Sequence, residues 1–413
     1  MISRINIFTK NKREIFFQPK CFKSNQKVIS VTRAFKILNY TRKLRYVEKK
    51  IDSYQFNDIA YRLISQHPHM KEIFTSWLKK ENDFEELSKW KSLSIGNDLF
   101  PKSFPFKDKD GDSLYIETPN YLALPKSVEV MFCSSIEEVE NATATVERAS
   151  EEGFNVVGFD CEWSPYSHNE ILSILQVSFN NKCFIIDCLY GDKKTTSNFI
   201  NKLFSSKNLI KLGKNPYNDL NCLFKMYPEI DILSNPLRTI CLTTLINNFN
   251  IASSNQPLND IKSKNIFNIK FFNPNWKEII CKNKNQDINI DINDKRNISG
   301  QNEMDVTNYK SNFFKIQKQY KDDVKCFTDS VRGASFSSLC QLILGKSIDK
   351  SEQVSVWDKR PLRISQIRYA ALDAEANRMI YNKLEKWGNI LNVDVKKIAL
   401  TCKSEKLKPS KTI

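Results

Sequence analysis

Between residues 155 and 188 three β-rich runs, 155–163, 171–179 and 182–188, follow one another across short turns, of which Asn180-Asn181 is the clearest. Connections this short predict three consecutive strands in an antiparallel meander. Beyond it the pattern alternates: a helix near 198–204, a strand at 209–212, a helix at 217–226 and a strand near 238–242. Alternation of this kind predicts an α/β fold, with helices flanking a mixed, twisted sheet. Just before the first run, Ser134-Ser135-Ile136-Glu137-Glu138 reads as a helix start in which Ser caps and Glu reaches back. Helical signals return at 337–344 and 364–387.

Around this region, residues 126–392, lie other parts. Phe56, Ile59, Ala60 and Leu63, then Ile73, Trp77 and Leu78, recur at helical spacing and predict a small helical region over 51–100, read as a structural appendage. Residues 101–125, with the turn signal Asp110-Gly111, read as a linker. The stretch 263–328, with near-repeats such as Asp287-Ile288-Asn289-Ile290-Asp291, is too polar to offset chain entropy and is expected to be a disordered insertion. Residues 393–413 read as a basic tail.

Charge narrows the partners. The chain carries +16 overall, and residues 1–50 supply 14 Lys and Arg against Glu14 and Glu48, so 14 − 2 = +12 of it. A basic end on a nearly balanced body suits an acidic polymer such as nucleic acid; a solubilising or targeting segment is the alternative. The 11 cysteines are scattered without a CxxC pair and read as reduced core thiols. No apolar run reaches the roughly 18 residues of a membrane span. The expectation is an intracellular protein of nucleus or cytoplasm, with a mitochondrial transit peptide as the alternative reading of the Arg-rich residues 1–47.

Chemistry is carried by acids. In Val156-Val157-Gly158-Phe159-Asp160-Cys161-Glu162-Trp163 an apolar strand ends in two carboxylates two residues apart, hence on one face. An exposed Asp-x-Glu is usually solvated surface. Flanks as apolar as Val156, Val157 and Phe159 argue for a buried pair, which persists only with a compensating cation. In Leu212-Gly213-Lys214-Asn215-Pro216-Tyr217-Asn218-Asp219, a strand runs through Gly213 into a helix whose first turn carries Asp219; by itself this is equally a dipole-favoured acid. In Tyr369-Ala370-Ala371-Leu372-Asp373 the tyrosine and the acid share one helical face among small residues.

Taken in order, acid-x-acid on a first strand, an acid on a later helix and Tyr-x-x-x-Asp on a final helix resemble the DEDD exonuclease superfamily in its tyrosine variety, which includes RNase D and the Werner-type exonuclease domain. Gly158-Phe159-Asp160-Cys161-Glu162-Trp163, Leu344-Gly345-Lys346, Asp349-Lys350 and Trp357-Asp358-Lys359-Arg360-Pro361-Leu362 are similar to the mut-seven-homologue branch. The resemblance covers about residues 125–387 without the insertion. It implies a ribonuclease H-like fold and 3′–5′ hydrolysis of single-stranded nucleic acid, RNA favoured over DNA, releasing nucleoside 5′-monophosphates. It implies two Mg²⁺ or Mn²⁺ ions, with Asp160 bridging both, Glu162 and Asp373 completing one, and Asp219 holding the second. Only His67, His69 and His168 occur, so the histidine variety is excluded and Tyr369 is left to orient the water. Lys346, Lys350, Lys359 and Arg360 are candidates to hold the substrate backbone, with a solvated stretch or an Arg360 salt bridge as the alternative. Trp163 and Phe336 are candidates to stack on bases, though core packing is favoured. Three departures stand out: Tyr217 is displaced by Asn218 from the position before Asp219, Arg363 occupies the usual cap position with Ser365 as a poorer substitute, and no Asp-Thr pair occurs near Thr239. A nuclease-derived module that binds RNA without cutting is the rival reading; such proteins usually lose a ligand, and all four acids are present.

Overall fold

The computed structural model describes residues 28–95, 104–106, 113–166, 171–255, 325 and 327–407. Its centre is a six-stranded sheet built from β1 (Glu129–Cys133), β2 (Asn155–Trp163), β3 (Leu172–Phe179), β4 (Lys182–Asp187), β5 (Leu209–Gly213) and β6 (Thr239–Cys241), in the order β1-β4-β3-β2-β5-β6. The meander is there: β2, β3 and β4 pair antiparallel in turn. Asn180 and Asn181, with φ of 48° and 58°, close the β3–β4 hairpin in the left-handed region that a two-residue type I′ turn requires. The pairs β1–β4, β2–β5 and β5–β6 are parallel, so the sheet is mixed. Sequence periodicity gave no sign of β1, whose five residues run straight into a helix cap and owe their extended form to pairing with β4.

Helices cover both faces, as in the expected ribonuclease H-like arrangement. Packed on one face are α5 (Ile136–Glu151), α6 (Lys193–Ser205) and α7 (Tyr217–Met226), and on the other α8 (Leu242–Ser254), α9 (Phe336–Leu344), α10 (Ile364–Leu391) and α11 (Val395–Thr401). The capping box opening α5 is formed by Ser135 and Glu138. Strand alternation sorts β2 between the layers: Val157, Phe159 and Cys161 enter the α5–α7 core, while Gly158, Asp160 and Glu162 face α10.

Gly158 shows how closely α10 approaches. A Cβ there would lie 2.0 Å from the backbone oxygen of Ala374. The bare backbone at Gly158, together with buried Ala370, Ala371 and Ala374, lets the helix axis sink onto the sheet and brings Asp373 to Asp160. Gly158→Ala is therefore expected to push α10 outward, costing about 1–3 kcal/mol of overpacking strain and most of the activity. Thermal unfolding and a Mn²⁺ titration of the variant check this; parent-like values of both would mean that the helix yields freely.

At its N-terminus α10 departs from the expected cap. Ser365 does not serve; the Arg363 N–H donates to Gln366 Oε1 at 2.9 Å, and the Arg363 guanidinium pairs with Glu352 at 2.6 Å. The helix then runs 28 residues, past the expected end at 387.

Upstream, α1 (Val31–Arg42, continued by a π-helical turn at Lys43–Val47), α2 (Ser53–Ile64), α3 (Met70–Lys80) and α4 (Phe84–Ser92) pack around Leu38, Phe56, Leu63, Phe74, Leu78 and Trp90. Helical structure thus begins inside the basic segment 1–50, of which residues 1–27 lie outside the described residues. This helical region is joined to the sheet domain, since Tyr166 and Val356 of the latter are buried in the same core. Where described, 101–125 is no free tether: Phe106 enters the N-terminal core, and Leu114 and Leu124 enter that of the sheet domain. The expected insertion lies outside the described residues except for 325, 327 and 328 at its C-terminal end; there Phe327 is buried near Trp387, ring centres 6.5 Å apart. The basic tail is also ordered in part. It contains α11, and beyond it the Glu405 and Leu407 N–H groups donate to Thr239 O and Ser234 O at 2.7 and 3.1 Å, covering the exposed edge at β6. Eight described cysteines are free thiols, seven of them buried. No described helix is long and apolar enough to cross a membrane.

Candidate active site

Three of the expected ligands converge. Asp160 and Glu162 on β2 and Asp373 on α10 each offer a carboxylate oxygen, and these oxygens all lie within 4.8 Å of one another. Asp219 stands outside this trio, on the first turn of α7 where the chain leaves β5, yet its charge is the one Asp160 feels most strongly. Tyr369 lies one helical turn before Asp373, and its hydroxyl hydrogen-bonds that carboxylate. The Trp357 ring packs against the tyrosine ring, centres 6.1 Å apart.

Burial governs the electrostatics. Desolvation first, then the negative charges of its neighbours, holds Asp160 far above the usual carboxylate range, and the same causes act on Glu162. Burial lifts Asp219 to about 8 against the pull of the Asp219 and Cys161 N–H groups. Burial lifts Asp373 to about 7 against the Tyr369 hydroxyl and the positive charge of Lys350. The Tyr369 phenol is raised by its own burial and by Asp373, Glu162 and Asp160, so it stays protonated and donates.

Among the described residues no lysine or arginine forms an ion pair with any of the four acids. Three buried carboxylates, Glu162, Asp219 and Asp373, beside a half-buried Asp160 and without an ion-pair partner, are stable together only if protonated or bound to cations. Their donor set is all oxygen, which suits a hard divalent ion such as Mg²⁺ or Mn²⁺ better than Zn²⁺. The residues present therefore fit a divalent metal.

A pH dependence follows. With unfolded carboxylates near ~4 and folded ones raised, the native state binds more protons between about pH 4 and pH 7, so without metal this site lowers stability as pH rises. Buried Lys211, pushed down to about 7, acts with the opposite sign and only above that pH. The expected result is that the rise in melting temperature on adding Mn²⁺ is larger at neutral pH than near pH 5, because ions compete with protons for the same oxygens. A rise independent of pH would show that the ion binds elsewhere.

The four basic candidates divide. Lys350 immediately precedes the 3₁₀ turn Ser351–Val354 and its charge acts on Asp373, and Lys346 Nζ donates to Thr118 O at 3.2 Å. Lys359 is in an ion pair with Asp58 at 2.6 Å, and Arg360 makes two bonds to Asp187 at 2.7 and 2.8 Å, as well as bonds to Ser173 and the Trp357 carbonyl. Both charges are committed inside the fold. Trp163 and Phe336 are half-buried against the two cores, while Tyr217 is exposed at the start of α7.

Two residues at the site escaped the sequence reading. Gln176 on β3, opposite Asp160, directs its amide at Asp160 Oδ2 from 3.4 Å; a lone amide between Leu175 and Val177 was the available signal. Glu352, buried and paired with Arg363, adds to the negative field at Glu162, and nothing in its local sequence marks it.

This geometry agrees with the comparisons to known proteins. A family model described as 3′-5′ exonuclease matches residues 133–261 and 260–388, which together take in both ends of the carboxylate constellation. The chain belongs to the 3′–5′ exonuclease domain family. Within that family it is a DEDD exonuclease related to mut-7: it is 45% identical over 64 residues to the exonuclease mut-7 homolog of Aedes aegypti, covering 16% of this chain and 9% of that one. It is 24% identical over 279 residues to exonuclease mut-7 of Caenorhabditis elegans, covering 64% and 22%. This chain thus spans less than a quarter of the length of those relatives. Among solved structures it is similar to the Nibbler EXO domain of Aedes aegypti, with 20% identity, a TM-score of 0.41, and coverage of 68% of this chain and 97% of that one. It is also similar to the Trypanosoma brucei RNase D: GMP complex, with 12% identity, a TM-score of 0.38, and coverage of 65% and 60%.

Proposed function

We propose that this family member is an active 3′–5′ exonuclease that removes nucleoside 5′-monophosphates from the 3′ ends of single-stranded nucleic acid, RNA before DNA, using two divalent ions. The observation that carries this reading is the convergence of the Asp160, Glu162 and Asp373 oxygens within 4.8 Å, beside Asp219 and a protonated Tyr369.

In this mechanism Asp160, Glu162 and Asp373 would hold one Mg²⁺ or Mn²⁺ ion, and Asp219 with Asp160 would hold a second. Such ions, when bound, supply charge stabilisation and an activated water. The chain does the positioning. Tyr369, fixed by Asp373 and by the Trp357 ring, offers its hydroxyl to the attacking water and sets its line of approach to the terminal phosphorus. The apolar floor made by Val157, Phe159 and Cys161 limits solvent beneath the acids and so strengthens every charge interaction above them. Lys350 and Lys346 are proposed to meet the substrate phosphates, whereas Lys359 and Arg360 are proposed to shape the segment that carries them.

The test is incubation of the protein and Mn²⁺ with matched single-stranded RNA and DNA oligonucleotides labelled at the 5′ end. Stepwise shortening from the 3′ end with 5′-monophosphates as product is expected, faster on RNA. Internal cleavage, or binding without shortening, would overturn the proposal.

A further inference from the structure

One helix from outside the sheet domain grips both segments that frame the carboxylates. Three residues past the end of β2, Tyr166 is buried in the N-terminal core; its carbonyl accepts Gln66 Nε2 at 3.0 Å, and its hydroxyl donates to the Val354 carbonyl. Across the site runs the lead-in to α10, residues 351–363. There Asp358 Oδ2 accepts Arg62 Nη2 at 2.7 Å, and Lys359 Nζ donates to Asp58 Oδ1 at 2.6 Å and to the Tyr54 hydroxyl at 3.1 Å. The ammonium of Lys359 also sits 4.5 Å from the centre of the Phe104 ring, and the Arg363 guanidinium 5.0 Å from that of Tyr54. One partner of each ion pair is buried, with the side chains of Arg62 and Asp58 2% and 5% exposed, while Asp358 and Lys359 keep 12% and 16%.

Such pairs are a poor way to gain stability. Removing two charges from water offsets most of their attraction, and apolar residues of similar volume hold two surfaces together as well or better. What directed bonds add is a fixed geometry, and the lead-in needs one. Apart from the short turn Ser351–Val354 it has no regular structure, yet Trp357 packs on Tyr369 and Arg363 begins the helix that carries Asp373. A shift at Lys359 is therefore felt at Tyr369 in the second turn of α10.

The geometry points to α2 and the turn after it as a clamp on the active site, in which Asp58, Arg62 and Gln66 are positioning residues that set the separation between the strand bearing Asp160 and Glu162 and the helix bearing Tyr369 and Asp373. This rests on the exonuclease reading and deepens it, making the N-terminal helices part of the catalytic unit. None of the three residues touches substrate or metal; each acts through Tyr166 or the 351–363 segment.

The experiment compares the full chain with Asp58→Asn, Gln66→Ala and the conservative Lys359→Arg, following turnover on a short oligonucleotide, Mn²⁺ titration, and amide deuterium uptake. Asp58→Asn is expected to lower kcat about tenfold to a hundredfold, the scale of a small misplacement of reacting groups. KM and Mn²⁺ affinity should hold, with faster uptake over 351–369 and unchanged uptake in β3 and β4. Lys359→Arg, which keeps the pair, should stay near the parent. If Asp58→Asn does not fold, Gln66→Ala decides, since it removes only the bond to the Tyr166 carbonyl and a local one to the Arg62 carbonyl, each worth about 1 kcal/mol; a kcat loss with local loosening supports the clamp. Parent-like kcat and uptake overturn it, as does a loss that tracks loosening of the whole sheet. A parent that releases no nucleotide sinks the exonuclease reading instead, and the uptake comparison still judges the clamp.

Discussion

Asp373→Asn is expected to lower turnover by roughly a thousandfold or more while making the metal-free protein more stable at neutral pH. A metal contributes several kcal/mol of transition-state charge stabilisation, and each ~1.4 kcal/mol is tenfold in rate. Loss of one ligand from the Asp160, Glu162 and Asp373 trio withdraws much of that. The stability gain has a separate origin. Burial and neighbouring acids already disfavour ionisation at this cluster, so a neutral amide removes a repulsion that the parent bears whenever no ion is bound. The hydrogen bond to Tyr369 survives, since the amide oxygen still accepts. Melting curves in chelator at pH 7, set beside single-turnover rates with Mn²⁺ in excess, read both effects. A variant that is inactive but also less stable without metal would mean that Asp373 holds the fold, and an active variant would remove it from the ligand set.

How the sequence encodes this site explains what could be read from it. Asp160 and Glu162 were legible because period-two alternation on an apolar strand is local: Val157, Phe159 and Cys161 point one way and the acids the other. Tyr369 and Asp373 were legible because helix geometry fixes the four-residue spacing. Helix ends at Ser135 and Asp219 followed from capping and dipole preferences, again local. Long-range pairing left no such mark. The strand β1 exists because β4 is beside it, and Glu352 reaches the site only through a turn held by Arg363. The basic candidates make the same point. Lys346, Lys350, Lys359 and Arg360 look alike in sequence, and only the acids opposite them, Asp58 and Asp187 against the last two, tell an internal pair from a free charge. Asp58 lies about 300 residues from Lys359, too far for any periodicity to connect.

Tyr369→Phe isolates one hydroxyl. The ring is 8% exposed and packs against Trp357, so phenylalanine keeps the contacts and the stability changes by no more than the net worth of one hydrogen bond, about 1 kcal/mol. The carboxylates keep their places, because Asp373 is fixed by the approach of α10 to Gly158 and not by the phenol. Mn²⁺ affinity should therefore stay near that of the parent at pH values where Asp373 is fully ionised. Turnover should fall roughly tenfold to a thousandfold, the scale of losing one contact that positions a nucleophile or stabilises charge in the transition state. The loss belongs in kcat and not in KM, since substrate contacts remain and only the line of attack suffers. Without the phenol Asp373 also loses a donor that holds its carboxyl down, so its ionisation shifts upward and the activity profile of the variant should need a higher pH to reach its plateau. Rates measured across pH with saturating Mn²⁺ separate the two contributions. A lower plateau with a shifted rise supports both roles, a shifted rise to an undiminished plateau would assign Tyr369 to tuning Asp373 alone, and parent-like behaviour in both would place the water under the control of another group.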